Sequence, residues 1–433
     1  LLSQQIAFHR ARLGDRVLLL TGLDEPHHNL LDHLRRYRFV DAELIGPQLE
    51  TVSMVPFLEQ PLPEMMAILR KTVLNLRPQF VTLDGLRSLT AFLGGEQGAY
   101  QFLYGLTSWF AVEGITLIVT KETGPDLPHE PEFALMDGVV LLQRQLAGGS
   151  ERRRLWVWKA RAQGVLPGPH ALTIDSDGLH VWPRSPSLME APAQASTGTA
   201  PVGVPGLDDM LGGGLPAGSA TLLIGPPGSG KTPLALAFLN QGAAAGEPVL
   251  WVGLRGSQAK MPAPGQAWTR DLGAAAERGT ARYLTVTPYQ VDPDLLAWRL
   301  QDLAGESGCR RLVFANAELL AGATAGPAEA HSFLAWLVHW TGQCGITLLV
   351  TAEGSTDTER SPIGVETGLY ANVLVAGLGR GENGAQRTLA IKSLARPAYD
   401  GRPHLFEMGT DGLQVREVQA EAQSSGERTA GHW

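Results

Sequence analysis

The sequence contains little cysteine and no long apolar run. Of its 433 residues only Cys309 and Cys344 are cysteines, and they do not form a Cys-x-x-Cys pair. Such a chain is typical of a reducing compartment and offers neither a disulfide framework nor a cysteine zinc site. No uncharged apolar segment approaches the ~18 residues that a membrane span needs. A signal-peptide pattern is also missing, so we expect a cytoplasmic protein without a membrane partner.

An excess of basic charge is missing as well. The chain has 35 Lys and Arg against 43 Asp and Glu, which gives a net charge of −8 at pH 7. Broad binding to nucleic acid needs a basic face, so this balance argues against a nucleic-acid partner, although a local patch stays open. The hydrophobic content of 44% and the length predict large cores in two domains.

A phosphate-binding loop lies in the middle of the chain. Residues 225–232, GPPGSGKT, match the pattern G-x-x-x-x-G-K-[ST]. A β-branched and Leu-rich run precedes the loop and an Ala- and Leu-rich segment follows it, which predicts a strand, a loop and a helix. Backbone N–H groups at the helix N-terminus would hold the phosphates of ATP, and Thr232 would ligate Mg²⁺. The predicted nucleotide-binding residues of the loop are Gly225, Pro226, Pro227, Gly228, Ser229, Gly230, Lys231 and Thr232.

The sequence repeats itself. At shifts of 231 or 232 positions the following segments align: LGDRVLLL (13–20) with AGEPVLWV (245–252), PQFVTLDGL (78–86) with RRLVFANAE (310–318), and GITLIVTKE (114–122) with GITLLVTAE (345–353). The shift changes by only a few residues along the chain, which indicates duplication of one domain of about 230 residues.

Each copy predicts an α/β fold. Apolar strands alternate with amphipathic segments and end in strands without intervening helices. This order predicts a mostly parallel sheet flanked by helices, with antiparallel strands at the C-terminal end. We place the first domain at 1–183, a Pro-, Ala- and Ser-rich linker at 184–201, the second domain at 202–416 and a disordered tail at 417–433.

The first copy has no phosphate loop within this sequence. By the alignment, Lys231 and Thr232 correspond to positions just before Leu1. We expect the sequence to be a piece of a longer polypeptide, in which a G-x-x-x-x-G-K-[ST] loop ends directly before Leu1. A first copy that has lost its loop is the alternative.

The second copy resembles a known family. The segment GVPGLDDMLGGGLPAGSATLLIGPPGSGKT (203–232) is similar to the corresponding part of the KaiC-like ATPases, which belong to the RecA/RadA-type P-loop class. The tandem duplication is similar too. The resemblance implies two RecA-like domains in a homo-oligomer, a hexameric ring with ATP and Mg²⁺ held between adjacent subunits. One subunit would give the phosphate loop and acidic residues, and its neighbour a Lys-x-Arg pair.

In the first copy this resemblance implies a set of catalytic residues. Asp24 and Glu25 would orient and polarise the attacking water, with Glu25 as the base. Asp84 would be the Walker B aspartate that holds Mg²⁺ through water. Lys159 and Arg161 match Lys-x-Arg, and their spacing puts both on one face of a strand. An exposed acidic loop, a capping aspartate and a solvated surface pair are the alternatives.

In the second copy the loop is complete but other groups are missing. There is no Asp or Glu between Pro248 and Arg270, and Asn316 aligns with the Walker B aspartate. Lys392 remains as a nucleotide-binding residue, while Leu394 replaces the arginine. We expect this copy to bind nucleotide and hardly hydrolyse it.

We therefore predict an ATP-binding regulatory ATPase of low turnover, which hydrolyses ATP in the first copy and acts through an unidentified regulatory protein partner. A non-enzymatic, nucleotide-dependent scaffold, a RecA/RadA-type recombination ATPase and a clock-type serine/threonine autokinase are the alternatives. The segment 364–376, which aligns with the family's autophosphorylation region, contains only Thr367 instead of adjacent Ser and Thr. This difference argues against the autokinase.

Overall fold

The computed structural model divides the chain into two compact units. One unit is Leu1–Gln143 with Arg153–Trp182, and the other is Arg144–Arg152 with Pro183–Trp433. The structure describes residues 1–22, 32–124, 130–147, 150–184, 198–254, 267–287, 291–354, 366–381, 384–396, 399–409 and 412–417. Within these ranges no helix combines the length and the apolar character that crossing a membrane requires.

The first copy of the repeat contains eight strands and four α-helices among the described residues. The strands are β1 (Val17–Thr21), β2 (Leu49–Ser53), β3 (Phe80–Asp84), β4 (Thr116–Val119), β5 (Gly138–Ala147), β6 (Ser150–Ala160), β7 (His170–Asp175) and β8 (Gly178–Trp182). The helices are α1 (Leu2–Arg12), α2 (Leu62–Leu76), α3 (Leu86–Thr90) and α4 (Glu96–Glu113). They form a parallel sheet of order β2-β1-β3-β4 and a separate sheet of order β5-β6-β7-β8.

The second copy has a two-stranded sheet, formed by its first two strands, and a large sheet of nine strands. Its strands are β9 (Thr199–Ala200), β10 (Leu215–Pro216), β11 (Ala220–Gly225), β12 (Val249–Leu254), β13 (Ala281–Val286), β14 (Arg311–Ala315), β15 (Thr347–Glu353), β16 (Asn372–Gly381), β17 (Gly384–Ser393), β18 (His404–Gly409) and β19 (Gly412–Glu417). Its helices are α5 (Leu207–Met210), α6 (Lys231–Ala244), α7 (Arg270–Glu277), α8 (Pro293–Ser307), α9 (Leu320–Ala323) and α10 (Pro327–Gln343). The nine strands of the large sheet have the order β13-β12-β14-β15-β11-β16-β17-β18-β19.

Strand β11 joins the two halves of that sheet. It pairs in parallel with β15 on one side and with β16 on the other, and the strands from β16 to β19 continue as antiparallel pairs. The described residues of the first copy contain no counterpart of β11, and there the same two halves form separate sheets of four strands each. The predicted fold class, α/β with antiparallel strands at the C-terminal end, is confirmed.

The parallel strands at the centre of the large sheet, β11, β14 and β15, are buried on both faces, which explains their continuous apolar runs. In β14, Leu312 and Phe314 belong to one core cluster, while Val313 and Ala315 belong to the other. Helix α6 packs into the second cluster through Phe238 and its neighbours. The sheet is thus covered by helices on two sides, and its central strand β11 ends where α6 is about to begin.

Candidate nucleotide-binding site

The phosphate loop connects β11 to α6. The strand ends at Gly225 and the helix begins at Lys231, with Pro233 in the first helical turn. Gly230 caps the helix with a φ of +96°, and a Cβ atom there would lie 2.3 Å from Cε1 of Phe406. Both the backbone angle and the close approach require glycine at this position. The predicted strand, loop and helix are confirmed.

The side chain of Lys231 lies back over the loop. It is 8% exposed, and its Nζ donates to the carbonyl oxygens of Gly225 at 2.7 Å and Pro226 at 2.9 Å. Burial lowers the pKa of Lys231, whereas the carboxylates of Glu353 and Glu318 favour its charged form. The ammonium group is therefore positioned inside the loop, with negative charge nearby.

Ser229 provides a test of whether the loop fits a phosphate. Its side chain is fully buried, and its Oγ has no hydrogen-bond partner among the described residues. A buried hydroxyl without a partner has an unmet hydrogen-bonding capacity. A phosphate oxygen inside the loop would meet it, and Thr232 follows in the first turn of α6, half-buried. The residues of the loop fit a nucleoside triphosphate, and Thr232 is the residue that would ligate its Mg²⁺.

Two charged residues hold the segment that precedes the loop. The carboxylate of Asp208 accepts hydrogen bonds from the backbone N–H groups of Val202 at 2.7 Å and Gly203 at 2.9 Å. The guanidinium group of Arg311 donates to the carbonyl oxygens of Pro201 at 2.6 Å and Phe238 at 3.0 Å. Arg311 thereby ties this segment to α6.

Sequence reasoning did not predict a second support of the loop. Arg387 in β17 donates from Nε to the carbonyl oxygen of Gly228 at 2.8 Å. The contact joins residues 159 positions apart. No local pattern predicts a contact over such a separation, because it depends on how β17 lies beside the loop.

A threonine at the carboxyl end of β4 and another near the carboxyl end of β15 show which residues of the two copies correspond. In the first copy the backbone N–H of Gly85 donates to Oγ1 of Thr120 at 3.0 Å, and in the second that of Asn316 donates to Oγ1 of Thr351 at 3.2 Å. The two threonines correspond in the segments GITLIVT and GITLLVT. Gly85 and Asn316 also share a left-handed backbone, with φ values of 80° and 64°. Asn316 is therefore the counterpart of Gly85.

The residue at the Walker B position of the second copy is consequently Ala315, not Asn316. Thr21 pairs with Asp84 in the register of the first copy, and Gly253 pairs with Ala315 in the second. The alignment at a shift of 232 is wrong by one residue here. Ala315 provides neither a carboxylate, as Asp84 does in the first copy, nor an amide. It places only a buried methyl group at this position.

In the first copy, Asp84 lies at the carboxyl end of β3. Its Oδ2 accepts a hydrogen bond from Nε2 of Gln4 at 2.9 Å, and its Oδ1 accepts one from the hydroxyl of Thr120. These contacts fix the direction of the carboxylate. The predicted catalytic residues Asp24 and Glu25 lie outside the described residues.

The predicted Lys-x-Arg pair lies at the end of β6. Strand β6 ends at Ala160, so Lys159 is within the strand and Arg161 follows it. Nζ of Lys159 donates to the carbonyl oxygen of Phe133 at 2.9 Å, and Arg161 forms an exposed ion pair with Asp137 at 2.9 Å. Because the backbone N–H of Arg161 still donates to the carbonyl oxygen of Asp137 at 2.8 Å, next to the start of β5, the shared strand face of the pair stays a prediction.

In the second copy, Lys392 is exposed at an irregularity of the sheet. Val373 pairs with Ser393 while Leu374 pairs with Ile391, so the register skips Lys392. A β-bulge of this kind redirects a side chain relative to its neighbours. Its assignment to nucleotide binding remains a prediction.

In the second copy neither Leu394 nor Arg396 replaces the arginine of the Lys-x-Arg pair. Leu394 is buried, and Arg396 donates to the carbonyl oxygens of Gly212 at 3.2 Å and Gly198 at 3.1 Å. Arg396 therefore holds the segment before the loop.

Another group of possible metal ligands is an ion-pair network. Asp400, His404 and Glu417 have ligand atoms within 4.8 Å of one another. Arg402 donates to Asp400 at 2.7 Å and to Glu417 at 3.2 Å. Its hydrogen bonds hold the pKa of Asp400 well below its usual range. The guanidinium group already compensates these carboxylates.

The family model described as "ATPase: KaiC" matches residues 41–186 and 200–420, which is most of the chain. The chain belongs to the KaiC ATPase family. This membership confirms the predicted family and agrees with the RecA-like sheet and the phosphate loop described above.

Curated relatives carry the name circadian clock oscillator protein KaiC. The protein of Rippkaea orientalis is 27% identical over 216 residues, covering 49% of this chain and 41% of the relative. That of Parathermosynechococcus lividus is 28% identical over 190 residues, covering 43% and 35%. That of Thermosynechococcus vestitus is 31% identical over 179 residues, covering 40% and 34%. Each match spans less than half of the relative's length.

Proposed function

We propose that the second unit binds ATP with Mg²⁺ and turns it over slowly or not at all. The observation that carries this proposal is a complete phosphate loop, with Lys231 buried inside it, next to an alanine at position 315. The loop supplies phosphate binding, whereas the alanine cannot contribute charge to the metal or to the attacking water. Such a site acts as a nucleotide-dependent support or sensor.

Hydrolysis is assigned to the first copy, in a polypeptide that also carries the loop predicted before Leu1. Asp84 would hold the hydrated Mg²⁺, and Glu25 beside Asp24 would serve as general base. Lys159 and Arg161 would stabilise charge on the γ-phosphate of an adjacent subunit. The proposal is supported by the carboxylate that Asp84 keeps and by the family to which the chain belongs.

The proposed assembly is a homo-oligomeric ring, hexameric as in the family resemblance, which works in the cytoplasm on a regulatory protein partner. The relatives named as clock oscillator proteins support a regulatory role rather than a metabolic one. A nucleotide-dependent scaffold without turnover is the second candidate, and Ala315 favours it for the second unit. Measurable ATP turnover by a polypeptide with both loops separates the two candidates.

Equilibrium titration with ATP tests the binding site. Lys231→Ala removes the ammonium group from the loop, and we expect at least ~10-fold weaker binding because charge-assisted hydrogen bonds to phosphate are lost. Lys71→Ala, at an exposed lysine of α2, is the matched control and should bind as the wild type does. Equal affinities for Lys231→Ala and the wild type would mean that nucleotide binds elsewhere.

A further inference from the structure

The second copy lacks the Walker B carboxylate but has gained another one three residues later. Since Asn316 is the counterpart of Gly85, Glu318 is the counterpart of Arg87, two residues further on in each copy. The first copy therefore has a negative charge at Asp84 and a positive charge at Arg87. The second copy has no charge at Ala315 and a negative charge at Glu318. The negative charge therefore lies three residues later in the second copy, and the positive charge is absent from both positions.

Glu318 is held in a fixed place by two contacts. It lies in the turn Ala317–Leu319 that follows β14, and it is half-buried. Its Oε2 accepts a hydrogen bond from the backbone N–H of Glu353 at 3.0 Å, and its Oε1 accepts one from Nδ2 of Asn316 at 3.4 Å. Ordering of this kind positions the carboxylate before any ligand binds.

These contacts place Glu318 at the same end of the sheet as the phosphate loop. Glu353 is the last residue of β15 and pairs in register with Gly225, the first residue of the loop. The carbonyl oxygen of Gly225 accepts hydrogen bonds from the N–H of Gly354 at 3.2 Å and from Nζ of Lys231 at 2.7 Å. Glu318 therefore contacts β15 at Glu353, the residue that pairs with Gly225, and the carbonyl oxygen of Gly225 is the one that Lys231 contacts.

We propose that Glu318 holds the hydrated Mg²⁺ of the nucleotide in the second unit, in place of the missing aspartate at position 315. This inference rests on the proposed nucleotide binding by that unit. Mg²⁺ takes one or two carboxylates and keeps several waters, so a longer side chain that starts one turn later can reach the same hydration shell. The carboxylate supports binding and not hydrolysis, because no base is added with it.

The test is the Mg²⁺ dependence of ATP affinity, measured by equilibrium titration with Mg²⁺ and with EDTA. We expect Mg²⁺ to tighten binding at least ~10-fold in the wild type and less than ~2-fold in Glu318→Gln, since one charge-assisted contact to the metal's water is lost. The glutamine keeps an oxygen that can accept from the N–H of Glu353. Binding in EDTA should stay the same in both.

Two further variants make the result specific. Glu277→Gln, at an exposed position of α7, should keep the full Mg²⁺ dependence. Ala315→Asp combined with Glu318→Gln should regain it, because the carboxylate returns to the position that the first copy uses. Circular dichroism and thermal unfolding establish that each variant is folded.

The outcomes separate the two proposals. Full Mg²⁺ dependence in a folded Glu318→Gln variant would overturn the assignment of Glu318 and leave nucleotide binding intact. Absence of ATP binding by the wild type, with and without Mg²⁺, would overturn the proposed function and the assignment together.

Discussion

At the scale of single residues, Arg311 connects three segments of the second unit. Its side chain is 2% exposed and forms an ion pair with Glu247, which is 38% exposed. It also donates to two backbone carbonyl groups and lies 4.9 Å from the ring centroid of Phe238. A buried cation needs such acceptors in place of water, so Arg311 holds together the segments that provide them.

Arg311→Ala should therefore lower the free energy of unfolding by roughly 3–5 kcal/mol, since it leaves a cavity and removes the ion pair and the hydrogen bonds to two carbonyl groups. Glu247→Gln should cost ~1 kcal/mol or less, because the carboxylate is partly exposed and the amide oxygen can still accept. Urea unfolding of the two variants measures the difference. Equal losses of unfolding free energy in the two variants would show that the ion pair alone, without the hydrogen bonds to the carbonyl groups, provides the stabilisation.

At the scale of elements, the sequence predicts the loop better than it predicts strand register. The loop is specified locally, because glycines, a lysine and a helix start stand at fixed spacing. Strand β14 is buried on both faces, so its apolar sequence pattern stays the same when the alignment with β3 is shifted by one residue. That slip is why Asn316 was aligned with Asp84. The contacts of Glu318 and Arg387 join distant parts of the chain and could not be predicted from local patterns.

The phosphate loop should depend on glycine at one position for two separate reasons. Gly230→Ala introduces strain at a φ of +96° and a clash with Phe406, whereas Gly246→Ala introduces strain alone, at a φ of +79° with nothing within 4 Å. We expect Gly230→Ala to weaken ATP binding at least ~10-fold, because the loop must move to relieve the clash. Gly246→Ala should cost ~1 kcal/mol of stability and leave ATP affinity unchanged. Titration and thermal unfolding of both variants decide this, and similar affinities would contradict it.

At the scale of the whole molecule, the two copies differ in the catalytic residues that they keep. The second has the phosphate loop and lacks the Walker B carboxylate, and the first retains that carboxylate in Asp84. Duplication allows such a division, because one copy can lose chemistry while its fold still supports the other. The sequence predicted this asymmetry, since it depends on which residue types are present more than on their contacts.

Turnover should accordingly depend on the first copy. In a polypeptide with a complete first loop, Glu25→Gln should lower steady-state ATP turnover ~10²-fold or more through loss of the general base. Asn316→Ala is the control in the second copy and should change turnover little. Mixing Glu25→Gln subunits with Arg161→Ala subunits should restore part of the activity if neighbours share a site. Unchanged turnover in Glu25→Gln would reverse the assignment of the working copy.

The edge of β4 that faces away from β3 lies where the second copy has β11. Among the described residues β4 pairs with β3 alone, and Leu117, Ile118 and Val119 are only half-buried. The corresponding strand β15 is buried along almost its whole length, because β11 covers its other side. Unpaired N–H and C=O groups along an apolar edge template association with a second chain. A polypeptide that carries a counterpart of β11 should thus be less prone to self-association than one in which this edge stays unpaired.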